Sequence, residues 1–145
     1  MRRPDTEVLR KVAQWLAYAD EDLGLARHGL KMGNNAPYRL IAYHAQQCAE
    51  KHLKAYLVYH GIDFPYTHSI SRLLELCGDK ANWIGELRGA EELTPFAITT
   101  RYPGEDEEVT KEEALQAIEI AAKVRDIIRN ALTQEGMDVP AEPKE

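Results

Sequence analysis

The chain has 145 residues, of which 44% are hydrophobic and 29% charged, with a net charge of −6. A domain of this length buries roughly 68–70% of its unfolded surface, so it can fold around an apolar core without a metal or a disulfide framework. The acidic balance argues against a broad basic face for non-specific nucleic-acid binding, although it leaves room for a local basic groove. Two cysteines, a charged N-terminus and the lack of a long apolar run predict a soluble, cytoplasmic protein with no membrane span.

Apolar residues at spacings of three and four predict a first helix over about residues 5–31. Asp5 or Thr6 can serve as its N-cap. The same periodicity predicts a second helix over about residues 36–60, where Pro37 fits the first turn because its missing N–H costs nothing there.

Three further helices are expected in the second half of the chain. A short one begins at a cap on Thr67 or Ser69 and ends near residue 77, and a less regular one covers about 83–98. A last helix covers about 110–134, and Thr110 with Glu113 predicts a capping box at its start.

No strand pattern or internal repeat interrupts these helices. The sequence therefore predicts an all-α, up-and-down bundle of four to five helices in a single domain over residues 1–135. Residues 136–145 have no apolar period, and we expect a flexible C-terminal tail there.

The second helix concentrates side chains that could belong to a metal or thiol site. On a helical wheel, however, Cys48 and His52 lie on the apolar face, which indicates a core cysteine and a hydrogen-bonded histidine in the core or at an interface. His44 lies at the edge of that face, beside Lys51. Spacing by four could pair two of these groups on a metal ion, but no further cysteine or histidine ligand is evident nearby, so we predict no metal and no cofactor.

The segment "RLIAYH" places an arginine and a histidine five residues apart, at Arg39 and His44. Such a pair could bind phosphate and perform acid–base chemistry on RNA. Within one straight helix the two side chains diverge by about 140°, so they converge only across a dimer or a kink.

The segment "TTRYPGEDEE" combines a guanidinium and a phenol, at Arg101 and Tyr102, with a proline turn. In one interpretation Arg101 caps helix carbonyls or pairs with a carboxylate. In the other, Arg101 contacts a phosphate and Tyr102 stacks on a base.

Arg125 lies inside the apolar arc of the last helix. A buried arginine needs a partner, so Arg125 is expected to face a groove or a subunit interface. Together with the wide apolar arc of the second helix, it predicts a homodimer.

Four segments match a known pattern in order. "WLAYADEDLGLAR" (15–27), "AYHAQQCAEKHLKAYLVYHG" (42–61), "THSISRLLELC" (67–77) and "TTRYP" (99–103) together resemble the HEPN domain family (higher eukaryotes and prokaryotes nucleotide-binding). The resemblance implies an all-α bundle that commonly forms homodimers and associates with small nucleotidyltransferases, often as toxin–antitoxin pairs.

Many proteins of that family are metal-independent RNases with an Arg-x4-6-His motif in the C-terminal half. This chain has no histidine after His68. The first hypothesis is therefore a non-catalytic module that dimerises and binds a nucleotide, an RNA segment or a minimal nucleotidyltransferase. Its expected contact residues are Gln46, Gln47, Glu50, Lys51, Lys54, Arg101 and Tyr102.

Two alternatives stay open. One is a metal-independent RNase toxin with an atypical site built from Arg39, His44 or Arg101. The other is a structural dimer with no ligand.

Overall fold

A computed structural model describes residues 4–78, 81–97 and 108–140. The elements are α1 (Thr6–Gly29), a first 3₁₀ segment (Leu30–Asn35), α2 (Tyr38–Tyr59), α3 (Ile70–Cys77), a second 3₁₀ segment (Ile84–Phe96) and α4 (Lys111–Gln134). All regular structure in the described ranges is helical, which confirms the predicted all-α class. The irregular fourth helix is a 3₁₀ segment.

Three of the helices begin at capping residues that the sequence predicts. The Asp5 side chain accepts the Val8 amide at 2.9 Å at the start of α1, and Ser69 caps α3. The capping box of α4 is reciprocal: the Glu113 amide donates to the Thr110 hydroxyl at 3.1 Å, and the Thr110 amide donates to the Glu113 carboxylate at 3.0 Å. These bonds satisfy amides that a helix leaves without partners in its first turn.

Helix α2 is the central element and contacts α1, α3, α4 and the second 3₁₀ segment. Fifteen of its 22 residues are buried, so little of its circumference faces water. The end of α1 approaches α2 closely at Gly29, where an added Cβ would lie 2.9 Å from Cγ1 of Ile41. A larger residue at Gly29 would force Ile41 to move, so glycine permits this helix contact.

An ion-pair cluster ties α1 to α4. Arg125 Nε donates to Asp20 Oδ1 at 3.0 Å, and Arg129 donates to the other oxygen of the same buried carboxylate. Arg125 therefore has its partner within the chain. The expectation that Arg125 faces a groove or a subunit interface rested on the need for such a partner, so the residue is no longer an argument for a dimer.

Residues 136–140 lie against the bundle. Met137 is buried, its amide donates to the Leu132 carbonyl at 3.0 Å, and Arg129 Nη1 donates to the Pro140 carbonyl at 2.8 Å. The part of the expected tail that the structure describes is thus attached to α4. Across the described ranges, every helix is too short or too polar to cross a lipid bilayer.

Candidate functional site

The polar residues of α2 converge on one buried carboxylate, that of Glu50, which is 3% exposed. Its Oε1 accepts hydrogen bonds from Gln46 Nε2 at 3.1 Å and His68 Nδ1 at 2.8 Å. Its Oε2 accepts a hydrogen bond from Lys54 Nζ at 2.9 Å. Both oxygens of Glu50 are therefore engaged by groups of the same chain.

The two glutamines extend this network. Gln46 Nε2 also donates to the His68 carbonyl at 3.1 Å, and Gln47 Nε2 donates to Gln46 Oε1 at 2.8 Å. The network fastens the segment before α3 onto α2. Four of the expected ligand contacts, Gln46, Gln47, Glu50 and Lys54, lie beneath the surface as its members.

Lys54 is placed between two aromatic rings. Its ammonium nitrogen lies 5.7 Å from the ring centroid of Trp15 and 5.6 Å from that of Phe64. Cation–π attraction and the ion pair to Glu50 together offset the loss of hydration of the buried ammonium group. The helical wheel placed Lys54 outside the apolar arc, but it could not show that α1 and the segment after α2 cover that side.

A second buried carboxylate lies at the boundary between α1 and α2. Asp22 Oδ1 is 2.8 Å from His44 Nδ1, and Asp22 Oδ2 accepts a hydrogen bond from Lys51 Nζ at 2.5 Å. The side chains of His44 and Lys51 are 25% and 23% exposed. His44 does lie beside Lys51, as predicted, and the carboxylate of Asp22, a residue not predicted to belong to the site, holds the two together.

The pair suggested by "RLIAYH" does not form a contact within one chain. Arg39 is exposed, and His44 binds Asp22 rather than Arg39. Asp22 could have been found from the sequence, because on a helical wheel it lies about 20° from Trp15, at the edge of the apolar stripe of α1.

Cys48 and His52 are fully buried, so the prediction that they are core residues is confirmed. His52 Nδ1 is 2.9 Å from the Cys48 carbonyl, and burial lowers the pKa of His52 to about 4. Burial also raises the pKa of the Cys48 thiol, which disfavours the reactive thiolate. Among the described residues, no group of three His, Cys, Asp or Glu side chains could hold a metal ion.

Arg101 and Tyr102 lie outside the described residues, so their contact role stays a prediction. Of the expected contacts that the structure does describe, Lys51 alone reaches the surface, at the edge that it shares with His44. That edge, formed by Asp22, His44 and Lys51, is hereafter the His44–Lys51 edge.

Comparison with known proteins places this arrangement in a family. The profile of the HEPN domain family matches residues 12–131, which run from the second turn of α1 through most of α4. The chain belongs to the HEPN domain family. The networks around Glu50 and Asp22 are therefore features of a HEPN domain.

The chain is also similar to individual proteins. Over 132 residues the chain is 32% identical to a protein of Methanocaldococcus jannaschii named "Putative toxin MJ1304", a match that covers 80% of this chain and 84% of that one. Among crystal structures, TT1696 from Thermus thermophilus is 28% identical, with a TM-score of 0.67 over 83% of this chain and 97% of that chain.

A second structure, ST0689, is described as an archaeal HEPN homologue. It is 26% identical, with a TM-score of 0.65, and the match covers 91% of this chain and 99% of that chain. The predicted HEPN-like fold is confirmed.

Proposed function

We propose that this HEPN domain is a non-catalytic, homodimeric binding module of a toxin–antitoxin pair, and that it binds a minimal nucleotidyltransferase, a nucleotide or an RNA segment. The observation that carries the proposal is the engagement of Glu50, whose two oxygens accept three hydrogen bonds from its own chain. The carboxylate, amide and ammonium groups of α2 that could serve catalysis instead hold one another. The relative named as a toxin supports the pairing.

The contact surface in this proposal is the His44–Lys51 edge, extended by Arg101 and Tyr102. Buried Asp22 holds the imidazole and the ammonium group in fixed positions, which limits the side-chain entropy lost on binding. Arg101 would supply planar donors for a phosphate, and Tyr102 a ring on which a base can stack.

The purified protein should bind RNA or its partner without cleaving RNA. The expected result is no cleavage of a labelled RNA in the presence of EDTA, measured by gel electrophoresis, because the C-terminal half contains no histidine. Metal-independent cleavage that His44→Ala abolishes and His28→Ala preserves would contradict a non-catalytic role. His28 is the matched control, since it is an exposed histidine of α1.

One observation favours the second candidate function, a metal-independent RNase. If His44 Nδ1–H donates to the Asp22 carboxylate, Nε2 is left as a proton acceptor at a quarter-exposed position. A carboxylate that orients an imidazole in this way is a common arrangement for a general base. In a dimer, Arg39 of one copy could approach His44 of the other.

The dimer should form through exposed apolar residues of α1 and of the 3₁₀ segment that follows it. Tyr18 and Leu25 of α1 are 50% and 55% exposed and lie seven residues apart, a spacing that keeps α-helical residues on nearly one face. Met32, in the 3₁₀ segment that follows, is 61% exposed. Leu25→Lys should convert a dimer into a monomer in light scattering at micromolar concentration.

Leu115→Lys is the control for this experiment, because Leu115 is 40% exposed on α4. A wild-type chain that is monomeric across micromolar concentrations would refute the dimer. Dissociation by Leu115→Lys alone would move the interface to α4.

A further inference from the structure

A groove of about 480 Å³ opens between the last turns of α2 and α4 and the residues just before and within the second 3₁₀ segment. Tyr56 and Trp83 contribute to its wall, with their ring centroids 5.0 Å apart in an edge-to-face arrangement. The polar residues of the lining are Asn82, Glu86, Asn130, Gln134 and Glu135. This volume lies within the range of small-molecule sites.

The electrostatics of the groove favour a cation. Glu86 and Glu135 are carboxylates, and the described lining residues include no lysine or arginine. The C-terminal ends of α2 and α4 also meet here, since the Tyr59 hydroxyl donates to the Glu135 carbonyl at 2.7 Å. Each helix C-terminus carries a partial negative charge that adds to that of the carboxylates.

The Glu135 carboxylate is held in place from within the fold. Its Oε1 lies 2.8 Å from Nε2 of His60, whose side chain is 3% exposed. Burial, followed by a hydrogen bond to Glu135, raises the pKa of Tyr56, so its hydroxyl stays protonated and can donate. The Glu135 side chain remains 27% exposed, which leaves it accessible to a ligand.

We propose that this groove binds a small organic cation with an alkylammonium or alkylguanidinium group. The cationic head would pair with Glu86 and Glu135, and its N–H groups would donate to the amide oxygens of Asn82 and Asn130. The rings beside it would add cation–π attraction and apolar contact for the stem. This site is separate from the proposed function and shares no residue with the His44–Lys51 edge.

The test uses the full chain labelled with ¹⁵N and follows its two indole signals, which Trp15→Phe assigns. Titration with butylguanidinium chloride and with 1,4-diaminobutane should shift the Trp83 signal saturably, while sodium chloride at equal ionic strength should not. Glu86→Gln should weaken binding roughly threefold to tenfold, since a partly exposed ion pair is lost. The exposed side chain of Glu86 makes no hydrogen bond or ion pair among the described residues, so its replacement should leave the fold intact. Glu119→Gln, at an exposed position of α4, is the matched control.

A second titration distinguishes a free cation from a side chain of a bound protein. An acetylated and amidated tetrapeptide with one central arginine should bind more tightly than butylguanidinium if a protein side chain is the natural occupant. If the tetrapeptide binds as tightly as butylguanidinium or more weakly, the natural ligand is a free small cation. The proposal is overturned if neither cation gives a saturable Trp83 shift, or if Glu86→Gln and Glu119→Gln bind equally well.

Discussion

Glu50→Ala should lower the free energy of unfolding by about 3–5 kcal/mol, because it removes one partner of a buried ion pair. The substitution leaves the ammonium group of Lys54 between Trp15 and Phe64 without its counter-charge. It also removes the acceptor of the His68 imidazole. For a chain of this size such a loss corresponds to a melting temperature roughly 10–16 °C lower.

Urea unfolding of the purified variant measures this effect directly. The control is Glu75→Ala, because the carboxylate of Glu75 pairs with Arg72 where both side chains are more than half exposed. An exposed ion pair contributes at most about 1 kcal/mol to stability. The free energy of unfolding of the control variant should therefore lie within about 1 kcal/mol of the wild-type value. If Glu50→Ala also stays within it, the Glu50 network is not what fastens the segment before α3.

A double variant separates charge from shape. Glu50→Leu alone keeps most of the side-chain volume but leaves the Lys54 ammonium group uncompensated, whereas Glu50→Leu with Lys54→Met removes both charges. The double variant should therefore be clearly more stable than Glu50→Leu. A recovered free energy of unfolding would show that the loss of stability comes from an uncompensated ammonium group rather than from lost packing.

Local signals in the sequence were sufficient to predict where these helices begin. Asp5, Ser69 and the Thr110–Glu113 box act within one turn, so their capping bonds depend only on neighbouring residues. The burial of Cys48 and His52 also followed from helical periodicity alone. These features could be predicted because each depends on residues no more than a few positions apart.

The role of the polar residues of α2 could not be predicted in the same way. Glu50 and Lys54 lie outside the apolar arc, and their burial depends on Trp15, Phe64 and His68. Those three residues are distant in the sequence and approach α2 only in the fold. A helical wheel of α2 carries no information about these three residues. From the sequence alone, the buried Glu50 network could therefore not be distinguished from a polar, solvent-exposed face.

The same reasoning applies to the arginine of α4. Arg125 was correctly identified as a charged residue in an apolar arc, but its partner, Asp20, is 105 positions away in the sequence. Pairing with Asp20 within the chain removed one argument for a dimer. The exposed side chains of Tyr18, Leu25 and Met32 supply a different argument, which required knowledge of which residues of α1 and of the following 3₁₀ segment stay uncovered.

His52 should make the protein sensitive to acid. Burial lowers its pKa to about 4 from the ordinary value of 6.5. Between these pH values the unfolded chain binds a proton at His52 that the folded chain does not, so the free energy of unfolding falls as the pH decreases through this window. The difference between a pKa of 6.5 and one of about 4 corresponds to about 3 kcal/mol, fully present above pH 6.5 and lost by about pH 4.

The surroundings of the ring explain this sensitivity. If His52 Nδ1–H donates to the Cys48 carbonyl, the second proton must go to Nε2, a buried atom with no hydrogen-bond partner among the described residues. Nearby Arg129 opposes the added charge as well.

The variant His52→Gln tests this explanation, because glutamine can keep a hydrogen bond to the Cys48 carbonyl but does not titrate. The stability advantage of the wild type over His52→Gln should therefore shrink by about 3 kcal/mol between pH 7 and pH 4, measured by urea unfolding. The exposed His28→Gln should show no such convergence, and a His52→Gln difference that is constant with pH would mean that His52 does not resist protonation in the fold.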